Sequence, residues 1–324
     1  MATGAASQLA VRAGVGVLRV PLLWLAVAVA LTVVVRTAAA PGRRPRRDGV
    51  ATRFGDFTVP IGLAVIGGGL ARLGGTAAVT GTFVLLGAWV VTGVLLATVV
   101  GPLVTSLGAA PLGLEAVDGT WFLAPAALLA DAIGVAAMAG PLSGHSPALR
   151  WLALAAAGAG AIGYLLVVAL GAARVLVHGV GGTPLAAWWI AAGCGGLASA
   201  ALRHALFTGG ARWPVSVVAV GRVMAVATWS VAAVLAVPIV VVSVLSLLRS
   251  HRVERAAPWP PAFSSAVFAL GTLATGHITG VLAVVVIGKL TGAATLALWA
   301  VTAALHVPSP CRPTWPSSPG HGPH

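Results

Sequence analysis

From about Ala77 to Val99 the chain runs without a charged residue, and stretches of that kind recur almost to its end. Roughly 20 apolar residues are what a helix needs to cross the hydrocarbon core of a bilayer. Inside lipid each segment must satisfy its own backbone N–H and C=O groups, which a run this long does by coiling into a helix. Composition agrees: 59% of the 324 residues are hydrophobic and 8% are charged, whereas an ordinary soluble domain is about 25% charged. Burial cannot explain the deficit, because a water-soluble fold of this size must still clothe its outside with polar groups. The 42 glycines follow no G-X-Y period, and leucine and valine are abundant, so collagen and disorder are both excluded. The chain reads as an all-α polytopic membrane protein. One integral domain covers residues 1–306, and a disordered, Pro/Ser/Gly/His-rich tail covers 307–324.

Nine spans are expected: Leu18–Val35, Phe57–Leu73, Ala77–Val99, Thr120–Gly140, Leu152–Val175, Pro184–Leu206, Val220–Leu248, Pro260–Thr275 and Val281–His306. Met1 to Gly14 is apolar but too short to cross, and it lacks the architecture of a cleavable signal peptide. The net charge of +13 would suggest nucleic acid in a soluble protein. Here the arginines sit between spans, in the positive-inside pattern, and no nucleic-acid partner is implied. With the Arg43–Arg53 loop in the cytoplasm, the Arg249–Arg255 loop and the C-terminus also fall inside. Arg72, Arg150, Arg203 and Arg212 then fall outside. The implied location is a cell membrane, with the chain multi-pass and its partner the lipid bilayer.

Prolines add a second pattern. Pro60, Pro125, Pro184, Pro260 and Pro261 fall in or at the start of alternate spans, those running outward. Interior prolines free backbone carbonyls that only neighbours or water can satisfy. The pattern predicts helical hairpins, each with one broken and one smooth helix, the broken helices lining a cavity. Simple packing kinks are the alternative. Pro238, in a smooth span, is an exception.

Landmarks along the chain resemble the tellurite-resistance/C4-dicarboxylate transporter family, to which the plant guard-cell slow anion channels are related. Met1-Ala2-Thr3-Gly4-Ala5 is similar to M-x-T-G-[IVA] in the family's first helix. Arg53-Phe54-Gly55-Asp56-Phe57-Thr58 resembles R-x-F-G-F-F-T at the third, and Gly119-Thr120-Trp121-Phe122-Leu123 resembles N-G-T-W-F-L at the fifth. Thr183-Pro184 with Trp189-Ile190 and Gly193 resembles T-P-x-x-W-I-x-x-G at the seventh, with longer spacing. Trp229 and Pro238 match positions of the eighth, and Trp259-Pro260-Pro261-Ala262-Phe263 resembles W-x-x-x-F-P at the ninth. Ser264 stands where the family usually has proline.

The resemblance implies ten helices in five hairpins around a central pore lined by the odd-numbered helices. It implies that the first helix is truncated here. It implies a channel or permease for small inorganic anions or C4-dicarboxylates, with tellurite resistance as a phenotype, assembled as a homotrimer. The alternative is a non-transporting membrane subunit or an inactive truncated member. It also assigns Phe263 as the pore plug: an aromatic ring at a narrow point blocks ions by size and dewetting and opens by changing rotamer. An ordinary packing role at a helix start is the other reading of Phe263, and packing is the expectation for Phe57, Phe122 and Phe207.

Two intramembrane charges stand out. Asp131 lies mid-span, where a carboxylate costs about 2.5–3.5 kcal/mol on insertion scales, so it should face a cavity or a partner. A coupling acid or pore charge is one reading; a protonated aspartate or one paired with Lys289 is the other. Lys289 is expected to partner Asp131 or to snorkel, as Arg222 is, and His277 to lie solvated in a turn. Gly67-Gly68-Gly69 lacks the Lys-Ser/Thr and strand-to-helix context of a phosphate loop, so such glycines serve helix approach or leave room along a pore. No catalytic triad, zincin motif or paired carboxylates occur, and the two cysteines fit neither a zinc site nor a disulfide framework. The chain is expected to be no enzyme and to use no cofactor and no metal.

Overall fold

The computed structural model describes residues 2–12, 16–38, 54–106, 113–138, 147–179, 185–208, 213–249 and 259–306. The Arg43–Arg53 loop, Thr183 and Pro184, the loop from Ser250 to Arg255 and the tail from Val307 lie outside these residues. Among the described residues every regular element is helical. Helices α1 (Ala2–Arg12) and α2 (Arg19–Ala38) are followed by α3 (Thr58–Ala71) and α4 (Gly75–Ser106). Next come α5 (Leu123–Met138), α6 (Pro147–His178), α7 (Leu185–Phe207), α8 (Val215–Arg249), α9 (Trp259–Thr279) and α10 (Leu282–His306).

Among the described residues, six stretches are long and apolar enough to cross a membrane: Gly75–Val99, Gly119–Met138, Pro147–His178, Ala187–Phe207, Val215–Leu245 and Leu282–Ala304. The fold is that of a polytopic helical membrane protein. Helix α9 is not among the six, because Ser264, Ser265, Thr272, Thr275 and His277 lower its hydropathy. It holds Ser265, Thr272 and Thr275 by bonding their hydroxyls to backbone carbonyls of the preceding turn. Thr272 Oγ1 donates to Phe268 O at 2.9 Å, Thr275 Oγ1 to Gly271 O at 3.0 Å, and Trp229 Nε1 to Thr272 Oγ1 at 3.0 Å.

Sequential helices pack as pairs: α1 on α2, α3 on α4, α5 on α6, α7 on α8 and α9 on α10. The odd-numbered helices also pack on one another in order, and α9 returns to α1, which closes an inner ring. Burial separates the two layers. Of the most apolar window, 83% is buried in the α5 span and 78% in α7, against 22%, 33%, 17% and 17% in α4, α6, α8 and α10. The even helices present valine and leucine outward, as a lipid-facing surface must, and the odd helices are sheathed.

Small residues allow the inner helices to approach. The run Gly67-Gly68-Gly69 turns successive faces to three neighbours, since adjacent helical positions differ by about 100°. A Cβ on Gly67 would lie 2.8 Å from Leu85 and 3.0 Å from Gly81 O of α4, and one on Gly69 2.7 Å from Leu23 of α2. On Gly68 it would meet only the Cα of Gly134, at 3.9 Å. Two of the three glycines serve close packing and the middle one leaves space. The α3–α4 turn uses Gly74 and Gly75 at φ +80 and +56, a left-handed geometry that glycine adopts without steric cost.

The prolines require a correction. Pro60 and Pro125 occupy the first turns of α3 and α5, and Pro260 and Pro261 open α9. At Pro260 and Pro261 the missing N–H leaves no helical bond unmade, so these two start a helix and do not break one. Pro60 and Pro125 instead follow on the 3-10 turns Gly55–Phe57 and Gly119–Phe122, where the chain passes into α-helix. Pro238, by contrast, lies inside α8, an outer helix. The alternation of inner and outer helices is real, and its cause is burial.

Candidate functional site

The inner ring encloses a cavity of about 90 Å³ to which all five odd helices contribute. Ala5 and Gln8 come from α1, and Ala64, Val65, Gly68 and Arg72 from α3 with its C-cap. Ala130 and Ile133 come from α5, Leu197, Ala200 and His204 from α7, and Val267, Leu270 and Ala274 from α9. On α9 the lining residues step by three and four, so one helical face turns inward. Most of the wall is methyl groups and short branched chains. Three polar side chains stand out against it. Arg72 Nη1 donates to Gln8 Oε1 at 2.6 Å, and His204 Nδ1 lies 2.9 Å from Ala200 O of the preceding turn. Among the described lining residues Arg72 is the one that carries a fixed charge, and none is acidic. The site is apolar, narrow and positive, a combination that suits a small anion and disfavours a cation.

Phe263 is half-buried on α9, four residues before Val267 and on the same face as the lining residues Val267, Leu270 and Ala274. It packs against both the large apolar cluster built from α3 to α8 and the smaller cluster of Ala5, Leu9, Ala266, Val267, Ala269 and Leu273. The ring therefore stands one turn before the cavity, where these two clusters meet. The other phenylalanines are elsewhere. Phe57 is fully buried and stacks on Phe54 at 6.3 Å, and Phe122 tilts against Tyr164 at 5.9 Å. Phe207 is exposed beneath Arg222, whose guanidinium carbon sits 5.7 Å from its centroid, and Arg222 itself reaches outward. His277 lies exposed in the last turn of α9 and not in a turn after it.

Asp131 is on α5 beside the lining residue Ala130, yet it does not line the cavity. It is completely buried toward α4, where Thr92 approaches the carboxyl, and neither carboxylate oxygen nor Thr92 Oγ1 completes a hydrogen bond. Lys289 is exposed on α10. The expected ion pair with Lys289 is therefore absent, because α10 packs on α9, at the far side of the ring from α4. Asp131→Asn is expected to leave thermal stability in detergent unchanged or slightly raised, since the amide can donate to Thr92 and no ion pair is lost. A double-mutant cycle of Asp131→Asn with Lys289→Gln should show coupling within about 0.5 kcal/mol of zero, as for sites out of contact. Coupling well above that would restore the pair.

Arg72, Gln8 and His204 escape a reading based on spans. Arg72 follows an apolar run and passes for a loop charge, while Gln8 lies in a segment too short to cross. The available signal was position: a cationic residue at the end of an odd span sits at the mouth of whatever the odd spans enclose. Comparison with protein-family models gives no match, and comparison with curated proteins gives none either. The family resemblance thus rests on its short motifs, and function must be argued from the residues.

Proposed function

We propose that this chain is a membrane channel or permease that passes small anions along the axis of the inner ring, with Phe263 as its gate. The observation that carries the reading is the cavity between all five odd helices, whose described lining is uncharged except for Arg72. A pore needs a constriction that holds an ion weakly enough to release it, and a mostly methyl-lined wall with one guanidinium provides this. At about 90 Å³ the cavity favours inorganic anions over four-carbon dicarboxylates. The proposed setting is a cell membrane, with the Arg43–Arg53 loop and the C-terminus in the cytoplasm and Arg72 toward the outer mouth. The proposed assembly is a homotrimer with one path per protomer, and no part of the reading calls for catalysis.

Anion flux in proteoliposomes, comparing nitrate, chloride, sulfite, tellurite and malate, tests the reading. Flux of the small inorganic anions above that of empty vesicles, with malate slowest, is the expected result. Absence of flux for all five would overturn it. Arg72→Gln is expected to lower flux by roughly tenfold, the smaller end of what a focused charge does to local counter-ion concentration. Arg72→Lys should retain most of the flux. Equal flux in the Gln and Lys variants would show that the charge does not act on the ion.

A further inference from the structure

A second cavity, of about 220 Å³, lies outside the inner ring between the α7–α8 and α9–α10 pairs. Its floor is set by the close approach of α7 and α9, where a Cβ on Gly193 would lie 2.9 Å from the Cα of the lining residue Ser264. Its sides are Ala236 and Val240 of α8 and Ala294 and Leu298 of α10, from the two least buried spans. None of the described lining residues is charged. The crevice therefore opens through the lipid-facing layer, and whatever fills it enters from the bilayer.

Its polar side chains are satisfied within the protein, with one exception. Trp189 Nε1 donates to Ser243 Oγ at 3.0 Å, Ser265 Oγ to Pro261 O at 2.7 Å, Thr291 Oγ1 to Ile287 O at 2.8 Å and Thr295 Oγ1 to Thr291 O at 2.8 Å. Ser264 is 1% exposed, lines the crevice, and has no partner for its hydroxyl. A buried hydroxyl without a bond is costly, so the site calls for an acceptor.

We propose that this crevice is a lipid site, taking one acyl chain of a glycerolipid whose ester carbonyl accepts the Ser264 hydroxyl. Size, polarity and depth each support that occupant. An apolar cavity of about 150 Å³ holds benzene, so this one holds a segment of hydrocarbon chain, while drug-sized ligands need about 300 Å³ or more. The wall is apolar apart from hydroxyls, and the one without a partner, Ser264, lies against Gly193 of α7 and meets the carbonyl of an entering chain by a change of rotamer. Ser264 lies five residues after Trp259, the first residue of α9, which at 1.5 Å per residue is about 7–8 Å along the helix. With the start of α9 at the cytoplasmic surface, as in the proposed topology, that depth is near the inner edge of the headgroup layer.

The test is photolabelling of the full chain in phosphatidylcholine vesicles carrying a diazirine on one acyl chain, with labelled peptides mapped by mass spectrometry. Ala236, Ala294 and Thr295 should be labelled more heavily than Phe83 and Val90, which face lipid on α4. Ser264→Ala should cut crevice labelling about fivefold, the ratio one ordinary hydrogen bond gives, and Ala294→Trp should remove it. Labelling at Phe83 and Val90 should be unchanged in both variants, which shows that the chains are folded in the membrane. Crevice labelling no heavier than at Phe83 and Val90, or insensitive to Ser264→Ala, overturns the proposal. Disulfide cross-linking between chains through cysteines placed at Val240 and Leu298 would also overturn it, by assigning the crevice to a second copy.

Discussion

Phe263→Ala is expected to raise anion conductance by roughly an order of magnitude or more, because a hydrophobic constriction closes a pore by excluding water as well as by occupying space. The ring stands one helical turn before the cavity-lining Val267, on the same face as Leu270 and Ala274. Replacing it with a methyl group widens the path and adds no charge. The order of preferred anions should therefore change little, since Arg72 and the small-residue wall remain. Phe263→Leu keeps a bulky apolar group and should conduct less than the alanine variant. Single-channel or liposome-flux measurements on variants shown to reach the membrane decide the matter. Conductance of Phe263→Ala no greater than that of the parent would mean the ring only joins the two apolar clusters it touches.

Gly271→Leu should have the largest structural effect. A Cβ at this position would lie 2.2 Å from the oxygen and 2.4 Å from the Cα of Gly196, so α7 and α9 meet backbone to backbone. No rotamer of a flexible neighbour can relieve that contact; the helices themselves must separate. Overpacking a dense interior costs about 1–3 kcal/mol where side chains can adjust, and more where they cannot. Loss of about 3 kcal/mol or more is therefore expected, seen as aggregation or a sharply lowered melting temperature in detergent. Gly271→Ala should be milder and still harmful. Gly87→Leu is the control, because a Cβ there meets nothing within 4 Å. A Gly271→Leu chain as stable as the Gly87→Leu chain would contradict the α7–α9 packing.

The spans were legible because a bilayer imposes a length on apolar segments. Leu185–Phe207 and Leu282–His306 fall within a residue or two of where the apolar runs begin and end. The direction in which each residue faces was not legible on the inner helices. An amphipathic stripe marks a face only when the opposite side meets a different environment. Along α5 almost every residue from Leu123 to Met138 is buried, so nothing in its sequence separates Ala130, which lines the cavity, from Asp131, which faces α4. The prolines marked the right grouping of helices, since Pro60, Pro125, Pro260 and Pro261 all lie near the starts of inner helices. Arg72, Gln8 and His204 became a site only when α1, α3 and α7 were set side by side.

The central claim is that anions pass between the odd helices, and covalent block of the lining tests it most directly. In a chain with Cys194→Ala and Cys311→Ser, single cysteines replace Ala64 on α3, Ala200 on α7 and Val90 on the lipid face of α4. Each is treated with an anionic methanethiosulfonate reagent while anion flux is followed in proteoliposomes. The account predicts that modification at positions 64 and 200 stops the flux, that anions in excess slow this modification, and that a cysteine at position 90 has no effect. Undiminished flux through chains fully modified at both cavity positions would contradict it.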